Sequence, residues 1–331
     1  MQLGRVHNFQ SRWNDAEHVL RLGLESLRGT ADGLLIAGLQ RQLAVCLINQ
    51  ERPQDAEAAA QSALAHLNGL QPVPVHEIVD TEMLLATIAY SRGDLPSAQA
   101  AYARIVQAQR GDTEQAGLVT SLNNLAAIEL RLDRLDESIA HYRESIALAR
   151  ARYGARNREV ALPLVGLGSA LRAAGDRESA LSALRESQSI YADWAGTAHP
   201  ETAYASLLLA EMLWLEGDIG AARAALKGVT TVLAADGAQS IKACRARLLE
   251  LALLDTDDTA ADPREDAIAC LSTPQAPANL RLMARWVALS RGLGDDDLET
   301  LQREAAALVP RDGALQRAIS LLPAGHRRET E

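Results

Sequence analysis

Residues 121–150, SLNNLAAIELRLDRLDESIAHYRESIALAR, decide the fold. They read as two amphipathic helices joined by a tight turn at Asp133-Arg134. In the first helix Leu125 is followed by the small residue Ala126. Thirteen residues after Leu125 comes small Ser138, followed by Tyr142 and Ser145. Ser138, Tyr142 and Ser145 form an i, i+4, i+7 stripe, which is one face of a helix.

Working outward, the same figure returns at intervals of 40 or 42 residues. Leu43-Ala44 leads to Ala56, Ala60 and Ala63; Leu85-Ala86 leads to Ala98, Tyr102 and Ile105. Leu167-Gly168 leads to Ala180, Leu184 and Ser187; Leu209-Ala210 leads to Ala222, Leu226 and Val229. Leu3-Gly4 leads to Ala16 and Leu20, but the stripe then meets Gly23, so this first copy is the weakest.

The residue types have a mechanical reason. Two helices that cross closely need small side chains at the crossing and larger ones beside it. Ala44, Ala86, Ala126, Gly168 and Ala210 take that place on the first helices, and Ala56, Ala98, Ser138, Ala180 and Ala222 on the second. Between them lie Arg52-Pro53, Gly93-Asp94, Asp133-Arg134, Gly175-Asp176 and Gly217-Asp218. Gly just past a helix end and a polar residue opening the next helix is the expected punctuation. Turns are therefore expected near residues 52, 93, 134, 175 and 217.

These residues resemble the tetratricopeptide repeat family, whose unit is a helix-turn-helix with a Leu-Gly/Ala pair and a later small residue. The longer period resembles the 42-residue variant of kinesin light chains and of many bacterial multidomain proteins. His199-Pro200-Glu201-Thr202 with Leu207-Leu208-Leu209-Ala210, and Leu122-Asn123-Asn124-Leu125-Ala126, look like that variant's signature. The resemblance covers about residues 1–254. The family's early Trp and mid-helix Tyr are mostly missing, and the first unit is cut short. The expected fold is all-α: a tetratricopeptide-like right-handed α-solenoid of antiparallel helix hairpins.

Composition agrees. Of the 331 residues 48% are hydrophobic, one is Phe, and strand signals are nearly absent. The net charge of −10 argues against a direct nucleic-acid binder, which usually shows a basic face. Cys46, Cys244 and Cys270 are far apart and odd in number, so free thiols in a reducing cytoplasm are expected. Two Lys against 31 Arg fit a GC-rich, bacterial genome. No apolar run approaches the roughly 20 residues of a membrane span.

The expected domains are an array over 1–254 with six units, an irregular helical capping region over 255–322, and a disordered tail over 323–331. The Leu3-Gly4 pair places the start of the chain inside a helix, which suits a piece of a longer protein or a short first helix. Residues 68–76, with Pro72 and Pro74, should be extended. Pro163 falls inside a first helix, so that helix should start late, near Leu162, or kink. After Leu254 four irregularly spaced helices are expected: 263–271, 278–292, 296–309 and 314–321.

No catalytic constellation is present. The chain has no glycine-rich phosphate loop, HExxH, CxxC or GxSxG. Its seven His lack metal-ligand spacing, and Asp255, Asp257, Asp258 and Asp262 lack the ligand order of a calcium loop. No enzyme activity, cofactor or metal is expected.

The family resemblance implies binding of a peptide or helix on the concave side, lined by first helices. Helical angles place that arc around Arg41 and Asn49, Met83 and Tyr90, Asn123 and Arg131, Arg172, and Tyr204, Glu211 and Trp214. Aromatic, Arg and Asn residues suit recognition. The alternative is that Tyr90, Tyr204 and Trp214 pack between neighbouring repeats. Leu130, Val165, Leu207 and Trp214 should add apolar area beside the arginines. The resulting expectation is a cytoplasmic, non-catalytic interaction scaffold. Its partner would be a protein or peptide segment bearing acidic and apolar side chains. The alternative is the regulatory or sensor region of a larger bacterial Ser/Thr kinase or transcriptional regulator.

Overall fold

Five turns punctuate the chain with one geometry. Glu51, Gly93, Asp133, Gly175 and Gly217 each adopt a positive φ, between 59° and 84°. At each turn the next residue's N–H donates back five residues: Arg52 to Leu47, Asp94 to Ala89, Arg134 to Glu129, Asp176 to Leu171 and Asp218 to Leu213. The left-handed residue itself donates back three residues, as Gly175 does to Arg172. Together these bonds satisfy the carbonyls that a helix end leaves open, in the Schellman pattern.

The computed structural model describes residues 13–111, 117–235, 241–253, 281–285 and 298–307. Among them there is no strand. The helices are α1 (Trp13–Ser26), α2 (Gly33–Asn49), α3 (Pro53–Asn68), α4 (Val75–Ser91), α5 (Leu95–Arg110) and α6 (Leu118–Arg131). They continue as α7 (Leu135–Tyr153), α8 (Arg158–Ala174), α9 (Arg177–Ala195), α10 (Pro200–Leu215) and α11 (Ile219–Leu226). Then come α12 (Val229–Ala234), α13 (Ile241–Leu253) and α14 (Leu298–Ala306). The five expected turns therefore fall between α2 and α3, α4 and α5, α6 and α7, α8 and α9, and α10 and α11.

The chain divides into two compact units, Met1–Ile128 and Glu129–Glu331. In the first, α1 packs on α2, α2 on α3, α3 on α4 and α4 on α5. In the second, α7 packs on α8, α8 on α9, α9 on α10 and α10 on α11 and α12. α13 packs on α12 and touches α10, the place of the next first helix.

The crossings are as tight as the sequence requires. Ala44, Ala126, Ala210, Ala56, Ala98, Ala180, Ala222 and Ser138 are fully buried, and Ala86 is nearly so. A Cβ on Gly168 would lie 2.7 Å from Leu184 Cγ and 3.4 Å from the Ala180 carbonyl. Gly166 is equally constrained, because a Cβ there would run into the Tyr142 ring. Forty-two residues earlier the equivalent position is Asn124, and there the Tyr102 hydroxyl accepts from the Asn124 amide at 3.1 Å.

Two local expectations change. α8 starts at Arg158, capped by Asn157, whose side chain accepts from the Glu159 N–H. It runs through Pro163 to Ala174, so the helix does not start late. Pro163 costs one backbone bond, while eight other residues of this helix are buried along with it. The second helix of the fifth hairpin is split into α11 and α12 at Lys227-Gly228, where Gly228 has φ 76°. Its stripe of Ala222, Leu226 and Val229 stays buried all the same.

Segments 281–285 and 298–306 are helical, within two of the four expected C-terminal helices. The remainder of those helices, the Leu3-Gly4 pair, the Asp255–Asp262 loop and the tail lie outside the described residues. Cys46 is a buried free thiol that donates to the Trp13 carbonyl. Cys244, expected to be free, is instead disulfide-bonded.

The turns yield a stability prediction. A left-handed conformation costs a side-chain-bearing residue roughly 1–2 kcal/mol, least for Asp and Asn. Glycine returns about 0.5–1 kcal/mol of that through the entropy of the unfolded chain. Glu51→Gly should raise the urea midpoint, Asp133→Gly should leave it nearly unchanged, and Gly175→Ala should lower stability by about 1 kcal/mol. A loss of stability in Glu51→Gly would contradict this account of the turn.

Candidate interaction surface

The residues singled out on the first helices fall into two groups, one in each unit. In the first unit Arg41 on α2 pairs with Asp80 on α4 at 2.9 Å. Asn49 is exposed, with its amide on the Val45 carbonyl at 2.8 Å. Met83 and Tyr90 are half-buried on α4, and the Ser121 hydroxyl lies 3.8 Å from the Met83 sulfur. Asn123 donates to its neighbour Asn124 at 3.3 Å.

In the second unit α8 and α10 carry the face. Arg172 Nη1 lies 3.1 Å from Glu211 Oε2. Arg245 of α13 closes on the same carboxylate, with Nη2 2.6 Å from Oε2 and Nε 3.0 Å from Oε1. The Glu211 side chain is 6% exposed and both arginine side chains 18%. Glu211 is thus held between two guanidiniums instead of facing solvent. This placement has a reason: a buried carboxylate is tolerated only when paired and hydrogen-bonded. Tyr204 and Trp214 are half-buried, and the Lys242 ammonium sits over the Tyr204 ring at 4.6 Å. Arg131 is exposed at the end of α6. Leu207 is fully buried and Val165 is 8% exposed, so neither offers the apolar area expected of it. Leu162, one turn before Val165, is 50% exposed and does.

Sequence reasoning missed the ion pairs between successive first helices. Arg41–Asp80 and Arg172–Glu211 are both 39 residues apart, three short of the repeat. The acid thus stands about one helical turn before the position equivalent to the Arg on the next first helix. The signal was present as a repeated Arg-x38-acid spacing. Second helices are tied in the same manner, by Arg150–Glu186 at 2.6 Å in the second unit.

A polar pair also stands inside the seam. The Glu129 side chain, 1% exposed, has an oxygen 2.7 Å from His141 Nδ1. The positions equivalent to Glu129 hold Leu47, Ala89, Leu171 and Leu213, and those equivalent to His141 hold Ala59, Ala101, Ala183 and Ala225. One repeat has therefore exchanged an apolar contact for a buried polar one.

At the far end of α9, Trp194 is 45% exposed. The Arg158 guanidinium lies over its ring at 5.0 Å, and His199 meets it edge-on at 5.0 Å. Burial pushes the neighbouring Tyr191 hydroxyl well above its usual range. It likewise pushes the Cys46 thiol up, which makes Cys46 a poor nucleophile. Among the described residues no three His, Cys, Asp or Glu side chains stand together to hold a metal ion. None of the described helices is long and apolar enough to cross a membrane.

A tetratricopeptide repeat family profile matches residues 77–151 and 117–193. No curated protein matches the chain in sequence. Among solved structures, BtubC (BKLC) from P. vanneervenii is 20% identical with a TM-score of 0.59, covering 67% of this chain and 91% of its own. Nearly identical kinesin light chain TPR-like repeats from Podosopora anserina are 18% identical with a TM-score of 0.51, covering 60% and 94%. The Rap conjugation gene regulator of the plasmid pLS20, in complex with the Phr* peptide, is 14% identical with a TM-score of 0.58, covering 87% and 74%. At these identities the likeness is one of fold.

The Glu129–His141 pair gives a test of seam packing. His141→Ala alone strands a buried carboxylate, at a cost of about 2 kcal/mol or more. Glu129→Leu combined with His141→Ala restores the apolar pattern of the other repeats and should cost less than His141→Ala alone. A double-mutant cycle by urea unfolding measures this, and strict additivity would show that the two side chains are not coupled.

Proposed function

This chain is a tetratricopeptide repeat protein, and we propose that it is a non-catalytic scaffold that holds a peptide or protein segment on its first helices. In the second unit the candidate face is the side of α8 and α10 bearing Leu162, Arg172, Tyr204 and Trp214. The observation that carries this reading is the state of those side chains. Tyr204 and Trp214 are partly exposed, and Leu162 is half exposed. Partly exposed aromatics fixed on rigid helices are the usual anchors of protein recognition. Arg172 is held in place by Glu211, so little side-chain entropy is lost if it also meets a carboxylate on the partner. Arg41, Asn49, Met83, Tyr90 and Asn123 form the corresponding face of the first unit, and Arg131 adds to that of the second.

The peptide-bound Rap regulator, similar in fold, supports a peptide as the partner class. It also supports the second reading, a regulatory region within a larger system. Under either reading, residues 1–254 are the binding array and 255–322 the capping region.

Selection of a random twelve-residue peptide display library on the purified chain tests the proposal. An enriched peptide should bind with an affinity that Trp214→Ala and Tyr204→Ala each weaken by about tenfold or more, with helical circular dichroism unchanged. If nothing is enriched, or if the peptide is indifferent to both substitutions, the first-helix face of the second unit is not the site.

A further inference from the structure

The loops that lead into α8 and α10 are copies of one another, 42 residues apart. Gly154 leads to Asn157, and Gly196 to His199. Each glycine has a positive φ, 89° and 84°, with an extended ψ. The residue three later donates its N–H to the glycine carbonyl, Asn157 at 3.3 Å and His199 at 3.4 Å. That residue then caps the helix. Asn157 Oδ1 accepts from the Glu159 N–H at 3.0 Å, and His199 Nδ1 accepts from the Glu201 N–H at 3.2 Å. The backbones match, and the same orphan donor is satisfied in both. Only the accepting atom differs.

That difference is chemical. An amide side chain does not titrate, so its oxygen accepts whatever the pH. A backbone N–H can only donate, so His199 must present a bare Nδ1, and its neutral ring carries the proton on Nε2. A second proton would land on Nδ1 and turn the acceptor into a donor facing another donor. Imidazoles take up that proton between about pH 5 and 8.

We infer that His199 is a proton-sensitive cap: acidification removes the N-terminal cap of α10 and leaves that of α8 in place. The titratable groups around it are Arg158 and Glu159 of α8, Tyr191 and Asp193 of α9, Arg156 of the preceding loop and Glu201 of its own helix. Glu159 and Asp193 are engaged by Arg158 and Arg156. Arg158 also lies over the Trp194 ring that His199 meets edge-on, so a charged His199 brings a second cation to one indole. The positive end of the α10 dipole opposes the charge as well. Glu201 pulls the other way, but it is exposed, and such an attraction is weak and screened by salt. The unfolded chain makes no demand on Nδ1 and takes the proton freely, so stability falls as the pH falls through the imidazole range. α10 bears Tyr204 and Trp214, so acid loosens the start of the helix that carries the proposed face. The cap itself stands without that reading.

Urea unfolding of the full chain at about pH 7.5 and about pH 5.5, either side of the imidazole range, tests the inference. The comparison is with His199→Asn, which installs the cap that α8 already uses. Carboxylates and the other histidines titrate alike in both proteins. On acidification the unfolding constant of the unsubstituted chain should rise about fivefold more than that of His199→Asn, the size of one lost cap. Long-range proton–nitrogen NMR of the unsubstituted chain at the higher pH should show the His199 ring as the Nε2–H tautomer. Its signal is identified by its absence from the variant. Equal pH dependence in the two proteins, or an Nδ1–H tautomer, overturns the inference.

Discussion

The close crossing of each first helix with its second is the constraint on which the rest depends. It holds only while both crossing residues stay small. Interiors pack as densely as organic crystals, so one added methyl at such a point must push something aside. At Gly168 the obstacles are Leu184 and a backbone carbonyl, and the carbonyl cannot turn away. Small crossings draw the helices together, and this proximity lets a side chain on one repeat reach the next. Tyr142 slides over Gly166 for that reason, and Tyr102 finds the amide of Asn124.

Proximity also decides what becomes of the polar residues. Arg41, Arg172 and Arg245 lie close enough to the neighbouring first helix to find carboxylates there. Exposed ion pairs contribute little, but Glu211 is desolvated, and its two arginines become necessary once it is buried. The faces available to a partner are therefore smaller than a helical wheel suggests. What the inter-repeat ion pairs leave exposed includes Leu162 and part of Tyr204 and Trp214.

Much of the fold was legible in the chain itself. A period of 40 or 42 residues, a Leu-small pair and a small residue thirteen later place every hairpin from Gly33 to Leu226. The left-handed turn position repeats at 51, 93, 133, 175 and 217, and three of these five are glycine. These features are local: a turn closes over six residues and a helix face over seven, so sequence alone fixes them. Of the two readings of Pro163 the late start fails, because the Asn157 cap upstream sets the first turn at Arg158. The break at Gly228 was hidden because Leu226 and Val229 keep the stripe across it.

The sequence by itself determined the helices, their turns and the residues at each crossing. Only the tertiary structure decided which side chains remain available. Glu211 and Leu207 sit in the arc that a wheel assigns to solvent, and both are buried. Burial there depends on residues 34 to 39 positions away, on helices whose offset no single repeat encodes. A helical wheel knows the angle of a side chain about its own axis. It does not know where the next helix lies along that axis, and that placement pairs Arg172 with Glu211, three residues short of the repeat, and Arg150 with Glu186, six short.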